Sequence, residues 1–394
     1  MRYKLTSILL LYFTVLISAQ STARYVDTDV RAMQIPKAST RTVEDIATYI
    51  KANFSTDEEK ARAAFYWISQ TISYDIASMN STNYYENEQQ VVDEVMKSRK
   101  GVCMHYATLM SWICNRVGVK TFVVGGYTRQ NGKVDILSHA WNVSFVNGKW
   151  QIIDPTWGTG QIVNGKFVRQ LNNEFFLMQP EEGIKSHCPF DPMWQLLQYP
   201  IDNNNFSKGI VAIDKSKPLF SFNDSIAAYE KADELTRQKA ALRRMKNNGI
   251  NSILLQENQH QIKNRINGIQ KNTSIETFNN AVNTLNQAVN DLNEFINYRN
   301  KQFTPKRSDA ALKLMLENVE TILARYKTEV AGITYADAGI KYSLSEINKT
   351  VQSLEEALAE QRTFLDKYLS TAKIFRKSLF YNYNWMGAPL HQSK

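Results

Sequence analysis

Residues 139–157 read His139-Ala140-Trp141-Asn142-Val143-Ser144-Phe145-Val146-Asn147-Gly148-Lys149-Trp150-Gln151-Ile152-Ile153-Asp154-Pro155-Thr156-Trp157. Two alternating runs flank Asn147-Gly148, and Asn-Gly between such runs is the strongest short hairpin signal. A two-residue turn sets Val146 opposite Lys149, so Phe145 faces Trp150, Val143 faces Ile152 and Trp141 faces Asp154. The apolar pairs then share one face, and the register is self-consistent. His139 precedes Trp141 by two and points the same way. Asp154 is therefore its diagonal neighbour across the strands, within side-chain reach. Pro155, which has no N–H, ends the pairing.

A carboxylate in that place accepts from one ring nitrogen of His139 and leaves the other for a thiol. The thiol stands upstream. Gly101-Val102-Cys103 opens a stretch that reads as a helix through Val117, closed by Gly118. Cys103 falls at that helix's N-terminus, where free N–H groups and partial positive charge favour thiolate. Taken singly, these residues read more simply as a buried thiol, a structural histidine and a turn residue. Joined by the diagonal contact, Cys103, His139 and Asp154 read as a nucleophile, a base and an orienting acid. Trp141 and Trp157 flank them, either lining a substrate groove or packing the hairpin core.

Two regions surround this constellation. From about residue 24 to 221 helical and strand patterns mix, and all three cysteines fall there. Val43–Asn53 reads as a helix, and Ser55-Thr56-Asp57-Glu58 starts another that runs to 72. Residues 91–97 read as a short helix and 119–127 as a strand followed by a loop. From about 222 the chain is polar, Asn-rich and helix-periodic. Leu344, Ile347, Val351, Leu354, Leu358, Gln361, Leu365, Tyr368, Ala372, Phe375 and Leu379 form a heptad seam. A second seam runs Phe278, Val282, Leu285, Val289, Leu292, Ile296, and a third Leu312, Met315, Val319, Ile322. These predict long antiparallel helices in an elongated bundle, with a self-associating coiled coil as the alternative.

The motifs together resemble the transglutaminase-like superfamily, the papain-like cysteine fold of transglutaminases and related peptidases. The carrying residues are Gly101-Val102-Cys103 with Tyr106-Ala107, Ser138-His139-Ala140-Trp141-Asn142, and the run from Trp150 through Asp154-Pro155-Thr156-Trp157-Gly158. Ala64-Phe65-Tyr66-Trp67-Ile68 and Ile72-Ser73-Tyr74-Asp75 match upstream. Phe175-Phe176-Leu177, Ser186-His187-Cys188-Pro189 and Trp194-Gln195-Leu196-Leu197 resemble the kyphoscoliosis-peptidase-like branch. The resemblance implies an α+β core, with the helix bearing the cysteine packed on an antiparallel sheet. It implies Cys103 as nucleophile, His139 as general base and acid, and Asp154 as orienting carboxylate. The reaction implied is attack on an amide carbonyl to give a thioester; water then makes a peptidase or amidase, and an amine a transglutaminase. No cofactor and no metal is called for. Relatives often carry Glu-Gly after the cysteine, where this chain has Met104-His105. His105 lies about 200° around the helix from Cys103, so it is expected to point away.

The chain has 394 residues, 43% hydrophobic and 11% aromatic, with a formal charge of +9. That is an ordinary globular balance, and without a dense Lys/Arg run it argues against a nucleic-acid partner. Three cysteines exclude a disulfide-stapled miniprotein. Cys114 and Cys188 read as a bonded pair or, more simply, as two buried thiols. His187 reads as a packing residue. Arg2 and Lys4, the apolar run 8–17 and Ser18-Ala19 read as a signal peptide, too short for a span of about 20 residues. The expected organisation is a signal peptide at 1–19, a transglutaminase-like catalytic domain at 20–221 and a helical bundle at 222–394. The expected protein is exported, secreted or periplasmic, with no stable membrane span after cleavage. Its expected partner is a protein or peptide substrate, with a further partner or self-association through the helices. The alternative is a non-catalytic binding module that keeps the fold.

Overall fold

Thr42 and Thr56 each open a helix by the same device: the hydroxyl accepts an N–H three residues on, and the acid there, Asp45 or Glu59, reaches back. In the computed structural model, which describes residues 24–80 and 87–381, these start α2 (Val43–Asn53) and α3 (Asp57–Thr71), after α1 at 24–33. The expected signal peptide lies outside the described residues. The chain divides into two compact units, one ending at Ile262 and one starting at Lys263.

In the first unit α4 (Glu88–Ser98) leads to α5 (Cys103–Arg116), and Gly118 follows with a positive φ of 90°. Tyr106, Leu109, Met110 and Ile113 of α5 are buried against Ile46, Ile50, Phe65 and Ile68 of α2 and α3. A short parallel pair, β1 (Ser73–Tyr74) and β2 (Lys100–Gly101), brings the chain to the start of α5. Three strands then follow: β3 (Thr121–Gln130), β4 (Lys133–Val146) and β5 (Lys149–Ile153). After α6 (Pro155–Thr159) come the hairpin β6 (Gly160–Val163) and β7 (Lys166–Arg169), then α7 (Pro180–Gly183) and β8 (His187–Pro189). The main sheet has the order β5-β4-β3-β8, antiparallel throughout.

The register of β4 and β5 is the expected one, from Val146 opposite Lys149 to Asn142 opposite Ile153. The ladder stops there. Asp154 leaves it to cap α6, so Trp141 has no partner on β5. Asn131-Gly132 and Asn164-Gly165 are turns of the same kind as Asn147-Gly148, all with positive φ at both positions. The stretch after 127 is thus a hairpin rather than a loop. Glycines at 125 and 126 and the charges of Arg129, Lys133 and Asp135 hide its alternation.

The first unit also extends further than expected. Short helices α8 (Asn203–Ser207), α9 (Phe222–Lys231) and α10 (Glu234–Asn247) belong to it. Ile226 of α9 shares a core with Val124, Trp141 and Trp194, and Met245 of α10 packs with Tyr127, Cys188 and Phe206. Arg244 makes a two-pronged bond to Asp191, each contact 2.7 Å. Composition changes at about 222, but the apolar stripes of α9 and α10 find their partners on the sheet domain.

Helix α11 (Ile253–Asn300) contains the division between the units. In the second unit its later turns, α12 (Asp309–Ala331) and α13 (Ala338–Ser370) enclose one core of Leu285, Leu292, Phe295, Leu316, Leu354 and Leu365. Arg362 bonds Glu320 and Lys327 pairs with Glu355, so α12 and α13 run antiparallel. The α12 seam is displaced from expectation. Its buried face is Leu312, Leu316, Val319, Leu323 and Tyr326, while Met315 and Ile322 are only partly covered. The α13 seam loses its helix at Ser370. The hydroxyls of Ser370 and Thr371 both bond the Lys367 carbonyl, at 3.0 and 2.8 Å, and compete with the helical ladder. Beyond them Phe375 is exposed, although Leu379 remains in the core. Among the described residues, no helix is long and apolar enough to cross a membrane.

Candidate active site

Cys103 is the first residue of α5, after an extended Val102. The strand pairing that sets Tyr74 beside Gly101 fixes this approach. His105 folds back, and its Nδ1 accepts the Val102 N–H at 3.2 Å. It is buried and caps the helix start. Gly101 is required for this: a Cβ there would stand 2.4 Å from His105 Cβ.

His139 lies on β4 opposite Gly126 of β3. Its Nε2 is 2.8 Å from Asp154 Oδ2. The diagonal contact expected from the hairpin is therefore present. The ring's other side is left for Cys103, which lies close enough for the two side chains to act on each other electrostatically. Asp154 is fully buried, and four N–H groups converge on it. Oδ1 accepts from Thr156 N at 2.8 Å and Trp157 N at 3.1 Å, and Oδ2 accepts from His139 and, at 3.1 Å, from His187 Nε2.

Burial penalises every charge here, yet the pairing overrides it. For Cys103 burial raises the thiol, but the hydrogen bond and charge of His139 bring it below its ordinary value. For His139 burial favours the neutral ring, but the charge and hydrogen bond of Asp154 and the bond to Cys103 raise it to about 10. Asp154 is lowered despite burial, chiefly by the charge and hydrogen bond of His139. The arrangement thus favours a thiolate beside an imidazolium beside a carboxylate over the uncharged forms.

Trp141 and Trp157 both stack near the His139 ring, with centroids at 5.9 and 5.5 Å. Their fates differ. Trp141 is fully buried in the sheet core with Val124 and Val143, so it does not line a groove. Gly126 makes room for it: a Cβ there would meet Trp141 Cη2 at 2.4 Å and the Cys188 carbonyl at 2.3 Å. Trp157 is half-buried and stays at the edge of the site.

His187 is the residue that sequence reasoning placed in packing and the structure places on the acid. Strand β8 pairs its position with Thr128 of β3, two along from Gly126. The pattern Ser186-His187-Cys188-Pro189 was visible, but nothing local aims it at Asp154. Cys103, Cys114 and Cys188 are free thiols, and burial pushes the last two up to about 12, leaving them inert. Among the described residues, the one grouping with metal-ligand character is His139, Asp154 and His187, whose ligand atoms lie within 4.8 Å of one another. Both ring nitrogens already face the same oxygen at hydrogen-bond distance, so a metal would have to displace the bonds that orient His139.

Residues 44–155 match the family model described as the Transglutaminase-like superfamily. This region is a transglutaminase-like domain. It is of the branch that includes kyphoscoliosis peptidase: the human protein of that name is 30% identical over 195 residues, 46% of this chain and 28% of its own length. Hillarin of Drosophila melanogaster is 24% identical over 202 residues, covering 46% of this chain and 24% of its own. The chain spans about a quarter of the length of the curated relatives it matches. A solved structure described as a TGase is 21% identical, with a TM-score of 0.26 over 42% of this chain and 44% of that one. The transglutaminase-like domain thus carries all three residues of the candidate triad within, or one residue short of, the end of the matched segment.

Proposed function

We propose that the chain is a cysteine-type hydrolase or acyl transferase acting on protein or peptide amides. The observation that carries this reading is the 2.8 Å bond from His139 to Asp154, on a ring whose charge also acts on the Cys103 thiol. The Cys103 thiolate attacks the amide carbonyl carbon, and the oxygen takes the negative charge. The Cys103 backbone N–H, one of the unpaired donors at the start of α5, faces the forming oxyanion. His139 gives its proton to the departing amine, the C–N bond breaks and a thioester remains. Water, or a second amine, then attacks; His139 takes its proton and the thiolate leaves. Asp154 holds the ring and its charge through both steps.

Export, through the segment 1–19, and a partner or second copy held by the helical unit complete the proposal. The deciding experiment is to trap an acyl-enzyme at Cys103 from a peptide library and identify the acyl group by mass. A thioester on Cys103 supports the reading. A Cys103 that neither acylates nor reacts with a thiol-directed alkylator overturns it and leaves a binding module on this fold.

A further inference from the structure

We propose that His187 is a positioning residue of the site, a second histidine that holds Asp154 through the same Oδ2 that His139 uses. The inference rests on the catalytic reading of the Cys103–His139–Asp154 chain. Its geometry is independent of any substrate.

His187 is fully buried, and three aromatic rings fix its orientation: Trp157 at 4.6 Å, Trp141 at 5.1 Å and Phe175 at 6.1 Å between centroids. Its two nitrogens have distinct tasks. Nε2 lies 3.1 Å from Asp154 Oδ2, and Nδ1 lies 2.7 Å from Ser186 Oγ. An ionised carboxylate only accepts, so Nε2 carries a hydrogen, and Nδ1 shares a hydrogen bond with the serine hydroxyl. Burial, the largest influence on the ring, disfavours its charged form and favours the neutral one. Neutrality matters because the His139 ring is only 5.8 Å away. A lysine or a protonated ring there would repel the imidazolium that the mechanism needs. A neutral N–H donor satisfies the acid without that penalty.

Two consequences follow for His139. First, the carboxylate cannot rotate: its two oxygens are held by two backbone N–H groups on one side and two imidazoles on the other. Second, Oδ2 divides its negative charge between two donors, so it grips the His139 proton less tightly than it would alone. That proton must be released to the leaving group, and a proton held too tightly makes a poor acid. The titratable groups around Asp154 are His139 on β4, His187 on β8, Cys103 on α5 and, at longer range, Tyr74 on β1.

The test compares three variants of the full chain. His187→Phe keeps the ring's bulk without a donor. In His187→Asn the amide stops short of Oδ2. In His187→Gln the amide nitrogen occupies the place of Nε2. The readout is the protonation of His139, followed through its ring nitrogen resonances as pH is raised, which needs no substrate. Loss of the donor should move proton release by His139 upward from about 10 in the Phe and Asn variants. The shift should be about one pH unit, the size of one hydrogen bond to a charged group. The Gln variant should titrate like the parent. If Phe prevents folding, Asn against Gln makes the same comparison. An unmoved titration in the donor-less variants, or a Gln variant that shifts as they do, overturns the proposal. Failure to trap an acyl-enzyme would remove the catalytic reading without touching this measurement.

Discussion

The two units bury different things. In the first, Arg62, Asn142, Asp154, His187 and Asn203 are all within the interior, most of them in bonds that cross between elements. In the second, the core is a stack of Leu, Val, Phe and Ile, and the Arg299–Gln361 bond is a rare polar crossing among the described residues. A buried charge is tolerated only where several donors converge on it, and that convergence also makes a reactive site. An apolar helical core has stability without chemistry. The contrast says that substitutions in the first unit separate function from stability, whereas those in the second do not.

The sharpest test is Cys103→Ala. It should abolish acyl-enzyme formation, a loss of at least about 10³-fold, while leaving the thermal midpoint in place. His139→Ala should lose nearly as much, and Asp154→Asn less, about 10²-fold in turnover. Equal losses from both would mean that Asp154 does more than orient. In the second unit Leu354→Ala should destabilise by about 3 kcal/mol, since Leu354 is fully buried at the centre of the bundle core. Alkylation of Cys103 should not change; if it does, the contrast between the units fails.

Gly126→Ala should cost about 1–3 kcal/mol and also displace Trp141 and the strand bearing His187. Unfolding monitored with Cys103 alkylation would show both effects. The smallest expected effect is on pH dependence. Cys103 should alkylate with a midpoint below pH 9, the ordinary thiol value. Because the folded His139 is raised, its stabilisation is fully present below the ordinary 6.5 and is lost as pH rises through about 10. Asp154 is lowered, so its contribution is present above 3.8 and lost only at strongly acid pH. The loss from His139 is spread over the interval from 6.5 to about 10, and a His139 that titrated near 6.5 in the folded chain would show that it is not paired as described.

How much could be read in advance follows from sequence separation. The hairpin at Asn147-Gly148 sets a register, and the register sets His139 beside Asp154, fifteen residues apart. Cys103 at a helix start is equally local, as are the capping boxes at Thr42 and Thr56. Asn131-Gly132 carried the same turn signal as Asn147-Gly148, yet its flanking residues lack the alternation that makes such a signal readable. The seam of α12 was misplaced by one position because its apolar residues at 315, 316, 322 and 323 allow two faces, and only the neighbouring helices choose between them.

The amino-acid sequence alone thus determined the helix that presents the sulfur, the ribbon that carries the imidazole and the carboxylate, and the periodic helices that follow. Their causes lie within a few residues of one another: turn conformation, side-chain alternation and helix-end polarity. Tertiary structure alone decided that His187, thirty-three residues from Asp154, shares its oxygen. It also decided that Trp141 is core and that α9 and α10 complete the first unit. Each of these depends on pairing between distant strands or on which apolar face finds a partner, and no local preference encodes that choice.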